Sequence, residues 1–151
     1  MTFQDWIFRI HLRRQAQRKT VIHAWENART IAILHDSGAP HTIVSELEKG
    51  NRHVHCFAMP DKHEITTFTG KPKASVIAKL QSYQYDLLID LTQQPNITML
   101  YLAMYARADF KVGKHIDAGV YDMTIDTPPR DNHNYLYEQI VKYIQMFSTK
   151  K

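Results

Sequence analysis

Short apolar runs alternate with segments whose apolar residues recur at helical spacing through most of the chain. Residues 30–34 form a run rich in β-branched side chains, and His35-Asp36-Ser37-Gly38-Ala39-Pro40 after it reads as a turn. A helix is predicted to open at Pro40 or His41, to bury Ile43, Val44 and Leu47, and to end near Lys49-Gly50. Residues 52–59 alternate as a second strand that Pro60 stops, and residues 64–68 predict a third, shorter and more polar, near a sheet edge. Ala74, Val76, Ile77 and Leu80 place a helix within residues 72–82. Residues 85–91 are nearly continuous in apolar character, as in a strand buried on both faces of a parallel sheet. Pro95 suits a first helical turn, and residues 97–108 follow as a strongly apolar helix. Its Met99, Tyr101, Met104 and Tyr105 read as core, with the phenol oxygens reaching the surface. Further short strands are predicted at 110–112 and 120–125, and Asp131 or Asn132 would cap a final helix carrying Tyr135, Leu136, Ile140, Ile144 and Phe147.

Strands alternating with helices in this way predict an α/β fold: a three-layer Rossmann-like sandwich with a mostly parallel sheet, right-handed crossovers and an extra N-terminal helix. No segment is long or biased enough to divide the body. The expected organisation is a basic N-terminal helix over residues 1–28, packed on a single α/β domain over 29–151. The helix itself is predicted over residues 2–26, with Thr2 as N-cap and Asp5 at the positive end of the helix dipole. Phe3, Trp6, Ile7, Ile10, Val21, Ala24 and Trp25 fall on one face, which is assigned to docking on the body. Arg13, Arg14 and Gln17 interrupt that stripe and would form a compact cationic patch.

Charge sharpens this picture. The 151-residue chain carries a net +4, and all of it resides in the first 29 residues, the remainder having equal numbers of basic and acidic side chains. A basic arm on a neutral body suits phosphates, an acidic partner or anionic headgroups, the last placed behind the other two because Phe3, Trp6 and Ile7 are assigned to docking on the body. One cysteine excludes a disulfide framework and any four-cysteine zinc module. No stretch approaches the length of a membrane span, and the N-terminus lacks the layout of a signal peptide, so a cytoplasmic protein is expected.

Ligands of open α/β sheets sit beyond the carboxyl ends of the strands. The candidate residues there are Asp36, Ser37 and Gly38, then Asp90, Thr92 and Asn96, then Lys111, Lys114 and His115, and finally Asp126. Three carboxylates at one edge could hold Mg²⁺ or act as general acid and base if their strands are parallel neighbours, although loop-ordering roles are the expected ones. Neither the turn at Gly38 nor Gly70-Lys71 has the glycine pattern of a phosphate loop. His53 and His55 share a strand face that Cys56 does not, with His63 not far on, so they read as solvent-facing histidines and no metal site is assigned. No nucleophile motif is present around Ser37 or Cys56, no catalytic residue is assigned and no cofactor is expected. One echo recurs, Tyr-Asp-x-x-Ile-Asp at 85–90 and 121–126, which suggests two strands meeting similar edge environments.

Residues 85–91, the apolar helix after them and Ala108-Asp109-Phe110-Lys111-Val112-Gly113 resemble a strand, helix and strand from the N-terminal half of heptosyltransferase-like glycosyltransferases. That resemblance implies a fold more than an activity, since in those enzymes a second domain contributes the sugar-nucleotide site. Phe68-Thr69-Gly70-Lys71, the strand from Asp86 to Asp90, residues 108–113, residues 121–125 and the final helix from Tyr135 to Tyr143 are similar to a family of small uncharacterised Bacteroidetes proteins. It implies one α/β domain and assigns no activity.

The expectation is therefore a non-catalytic binding or accessory module whose Arg9, Arg13, Arg14, Arg18 and Lys19 contact RNA, a ribosome or an acidic protein partner. The alternative is a binder or enzyme for a phosphorylated or nucleotide-like molecule at the carboxyl edge of the sheet. A homodimer through the aromatic final helix is compatible with either.

Overall fold

In the computed structural model the described residues are 2–15, 20–36, 38, 40–94, 96–114, 119–126 and 133–148. Five strands run parallel: β1 (Thr30–His35), β2 (His53–Ala58), β3 (Leu87–Asp90), β4 (Lys111–Gly113) and β5 (Met123–Thr124). They lie in the order β2-β1-β3-β4-β5, with Leu34 opposite both Phe57 and Asp90. The helices are α1 (Phe3–Arg14), α2 (His41–Lys49), α3 (Ala74–Leu80), α4 (Ile97–Tyr105) and α5 (His133–Ser148).

The continuous apolar runs of β1 and β3 are buried on both faces because each face has its own core. Ala32, Leu34 and Leu88 pack under Phe8 of α1, Leu80 of α3 and Met99, Tyr101 and Leu102 of α4. Ile31, Ile33, Leu87, Ile89 and Val112 pack on the opposite side under Ile43 and Leu47 of α2 and Leu136, Ile140 and Ile144 of α5. This is the expected α/β sandwich, and the sheet is wholly parallel among the described strands.

Two predicted elements take other forms. The helix expected over 2–26 ends at Arg14. Residues 20–24 cross the amino edge of the sheet without helical turns, leading into a short 3₁₀ helix, Trp25–Asn27. The β-branched run Thr20-Val21-Ile22 disfavours a helix, and the edge offers partners instead. The Val21 N–H donates to the Asp109 carbonyl (3.0 Å), and the Thr20 hydroxyl to Asp122 (3.0 Å). The strand expected at 64–68 is replaced by a 3₁₀ helix, Lys62–Glu64, and a tight loop closed by one antiparallel bridge between Ile65 and Pro72. A reciprocal Asp61–Glu64 capping box starts the turn, Gly70 continues it at φ +74°, and Pro72 has no N–H with which to extend a ladder.

The caps predicted for the final helix, Asp131 and Asn132, lie outside the described residues.

Candidate functional site

The strand order 2-1-3-4-5 places a topological switch point between β1 and β3, where doubly wound folds receive their ligands. Here that crevice is bridged from within. The Asp36 carboxylate, just past β1, accepts the backbone N–H groups of Gln93 (3.0 Å) and Gln94 (3.1 Å), just past β3. Asp90 accepts the Thr92 N–H (2.9 Å) on one oxygen and the Tyr121 hydroxyl on the other. Burial and the adjacent Asp90 carboxylate push the Tyr121 phenol well above its ordinary pKa, so it stays a proton donor. Gly113 makes this contact possible, because a Cβ there would lie 2.7 Å from the Tyr121 ring. Asn96 is the N-cap of α4, its side-chain oxygen accepting the N–H groups of Thr98 (2.9 Å) and Met99 (3.3 Å). Lys114 reaches Gln93 at 3.4 Å, and Asp126 stands exposed beyond β5.

Lys111 does not belong to this edge. It is the first residue of β4, opposite Leu88, and is buried, its ammonium donating to the Met104 carbonyl at 2.9 Å. Ser37 and His115 lie outside the described residues. Asp36, Asp90 and Asp126 do share the carboxyl edge, but they do not gather into a three-ligand cluster. Among the described residues, one group that brings metal-binding atoms together lies at the opposite edge, where His23, Asp86 and Asp109 place one ligand atom each within 4.8 Å. His23 Nε2 is 2.7 Å from Asp109, and Asp86 accepts the N–H groups of Arg29 (2.7 Å) and Thr30 (3.1 Å). The exposed Asp61 and His63 and the half-buried Glu64 form a second such group. His53 is exposed, whereas His55 is half-buried and stacks on Tyr83 at 4.2 Å. Burial and the neighbouring His53 lower the His55 pKa.

The repeated Tyr-Asp pair acquires a physical meaning at this amino edge. Asp86 accepts the N–H of Thr30, which begins β1, and Asp122 accepts the N–H of Lys111, which begins β4 (2.8 Å). Each aspartate caps the first residue of a neighbouring strand.

The N-terminal helix departs most from expectation. Thr2 is the N-cap, as predicted, and Asp5 completes a reciprocal capping box with it, the Thr2 hydroxyl accepting the Asp5 N–H (3.1 Å) while Asp5 accepts the Thr2 N–H (3.2 Å), contacts that hold the Asp5 carboxyl below its usual pKa. The docking face is a different one. Phe8 is buried against Tyr101 in an edge-to-face contact (4.9 Å), Leu12 packs on the same core, and His11 Nδ1 lies 3.2 Å from the Tyr105 hydroxyl. Phe3 and Trp6, assigned to docking from the sequence, are 56% and 55% exposed. They share the outward side of α1 with the exposed Arg9 and Arg13. The side chain of Arg14 is not described, and Arg18 and Lys19 lie outside the described residues.

The sequence signal for the true face was Phe8 and Leu12, four residues apart; extending the wheel to Trp25 obscured it. Tyr101 is also buried more deeply than expected, its hydroxyl having no hydrogen-bond partner among the described residues.

The model of the family of unknown function DUF6913 matches residues 4–147, from the first turn of α1 to the last turn of α5. The chain belongs to that family. The match makes α1 and its arginines part of the DUF6913 unit. No curated protein and no solved structure matches this DUF6913 member. No helix among its described residues is long and apolar enough to cross a membrane.

Proposed function

We propose that this protein is a non-catalytic binding or accessory module that engages a polyanionic surface through the outward side of α1. The observation that carries the reading is the placement of Phe3 and Trp6, both more than half exposed, beside the exposed Arg9 and Arg13, while Phe8, His11 and Leu12 hold the helix to the body. Arginines supply charge and directed hydrogen bonds to phosphate or carboxylate, and exposed aromatics supply contact area. RNA, a ribosome, an acidic protein and a layer of anionic headgroups all offer the complementary charge.

The alternative, a phosphorylated or nucleotide-like ligand at the carboxyl edge, draws less support. Asp36, Asp90 and Asn96 each hold a loop or cap there, and Lys111 points to Met104 instead.

The test is retention on immobilised heparin and co-sedimentation with ribosomes and bulk RNA at low and moderate salt. Wild type is compared with a variant in which Arg9, Arg13, Arg14, Arg18 and Lys19 are all replaced by Gln. Salt-sensitive binding that disappears in the variant is the expected result. Equal binding by both proteins overturns the reading.

A further inference from the structure

We infer that the polyanionic surface is an anionic lipid bilayer, met by α1 together with the loop carrying Phe68; the inference rests on the binding role proposed for α1. Phe68 is 83% exposed, the most exposed large hydrophobic residue among those described. Its loop is fastened at three points. The Thr66 N–H donates to the Lys71 carbonyl (2.8 Å), the Gly70 N–H to the Thr66 carbonyl (2.8 Å), and the Thr98 hydroxyl of α4 to the Gly70 carbonyl (2.7 Å). The loop abuts the start of α1: a Cβ built on Gly70 would lie 3.9 Å from the Gln4 side chain. Gln4 follows Phe3 in the first turn of α1. Three exposed aromatics are thus carried by two adjoining, rigidly held elements.

The shape selects among polyanions. Single-stranded nucleic acid is held in basic grooves where bases stack on recessed aromatics. A helix side and a loop tip are convex, and a bilayer interface accepts convex apolar wedges between its headgroups. Trp6 is suited to the headgroup level, where an indole keeps an apolar body in the acyl boundary and its N–H in water. Arg9 and Arg13 on α1, and the exposed Lys73 beside the loop, would face anionic headgroups. The neutral body after residue 29 confines the attraction to this end of the chain. The helix would lie along the surface, without spanning it.

The full chain is mixed with vesicles of phosphatidylcholine alone or with about a third phosphatidylglycerol, and flotation is measured at low and high salt. Binding to the anionic vesicles, weaker by about thirtyfold for Arg9→Gln/Arg13→Gln, is expected from two basic residues at a charged surface. Brominated lipid should quench wild-type fluorescence, and Trp6→Phe should abolish the quench although Trp25 remains. A Phe3→Ser/Trp6→Ser/Phe68→Ser variant should lose the vesicles while keeping its retention on heparin and its melting curve.

Three results would overturn the inference. Salt-sensitive binding to heparin and RNA without binding to vesicles would leave the binding role standing with RNA as the partner. Vesicle binding indifferent to the three aromatics would reduce it to adsorption of charge. Binding to neither heparin nor vesicles would remove both readings.

Discussion

The Tyr105 hydroxyl lies 3.2 Å from Nδ1 of His11, a contact between residues 94 positions apart that fixes how α1 is rotated on α4. Phe8 is buried beside it, and His11 sits edge-on to Tyr101 at 5.7 Å. That orientation turns Phe3, Trp6, Arg9 and Arg13 outward. Replacing Tyr105 by Phe removes the bond and leaves the ring; a loss of about 1 kcal/mol is expected. The sharper readout is local, since amide exchange should accelerate in α1 and leave β1 and β3 unchanged.

Gly113 and Tyr121 form a second dependence. A methyl at Gly113 would sit 2.7 Å from the ring, so Gly113→Ala must displace Tyr121 and break its bond to Asp90. A cost of roughly 2–3 kcal/mol is expected, which for a chain of this size lowers Tm by about 4–12 °C. Tyr121→Phe should cost about 1–3 kcal/mol by withdrawing a donor from the buried carboxylate. Combining the two substitutions should cost less than their sum, because both remove the same contact.

Asp36→Ala frees the Gln93 and Gln94 N–H groups and should destabilise by about 0.5–2 kcal/mol, the range for losing a side-chain cap. Thermal unfolding measures it. If the switch-point crevice is closed by this carboxylate, the variant should also show faster amide exchange over residues 91–94, with α1 unaffected.

Alkaline pH should unfold the protein through its buried tyrosines. Burial pushes Tyr85 and Tyr101 up to about 12, with the neighbouring phenols of Tyr83 and Tyr105 adding to the effect. Tyr137 is raised by burial and by Glu46, and Tyr121 by burial and Asp90. Each folded-state value exceeds the unfolded one near 10, so the stabilisation is complete below pH 10 and is lost as pH rises toward 12. Absorbance at the tyrosinate band should show these four ionising together with the loss of helical circular dichroism. Full ionisation before unfolding would contradict the burial.

The fold was legible where periodicity and tertiary environment agreed. Residues 30–34 and 85–91 read as strands because both cores demand apolar side chains, and Ile43 with Leu47 marked α2 in the same way. Thr2 read as the N-cap that it is. Residues 20–24 did not read as an extended strap because their partners, Asp109 and Asp122, lie far along the chain, Asp122 at 102 positions from Thr20. Lys111 looked like a carboxyl-edge residue from its sequence neighbours, yet it begins β4, opposite Leu88, and so lies at the other end of the strand. The outward aromatics of α1 were assigned inward for a related reason: a wheel drawn over 25 residues finds a single average face, whereas the real helix stops at Arg14 and has two apolar sides. The candidate residues at the carboxyl edge were placed correctly at Asp36, Asp90 and Asp126, but hydrogen bonds that sequence cannot display commit Asp36 and Asp90 to holding loops.

The binding role proposed for α1 requires its outward side to be the contact surface. Amide chemical-shift mapping of the full chain during titration with a short heparin fragment tests it most directly. Perturbations should concentrate in residues 3–14 and disappear in Arg9→Gln/Arg13→Gln. Perturbations centred on Asp36, residues 90–94 and Asp126, with α1 unmoved, would contradict it.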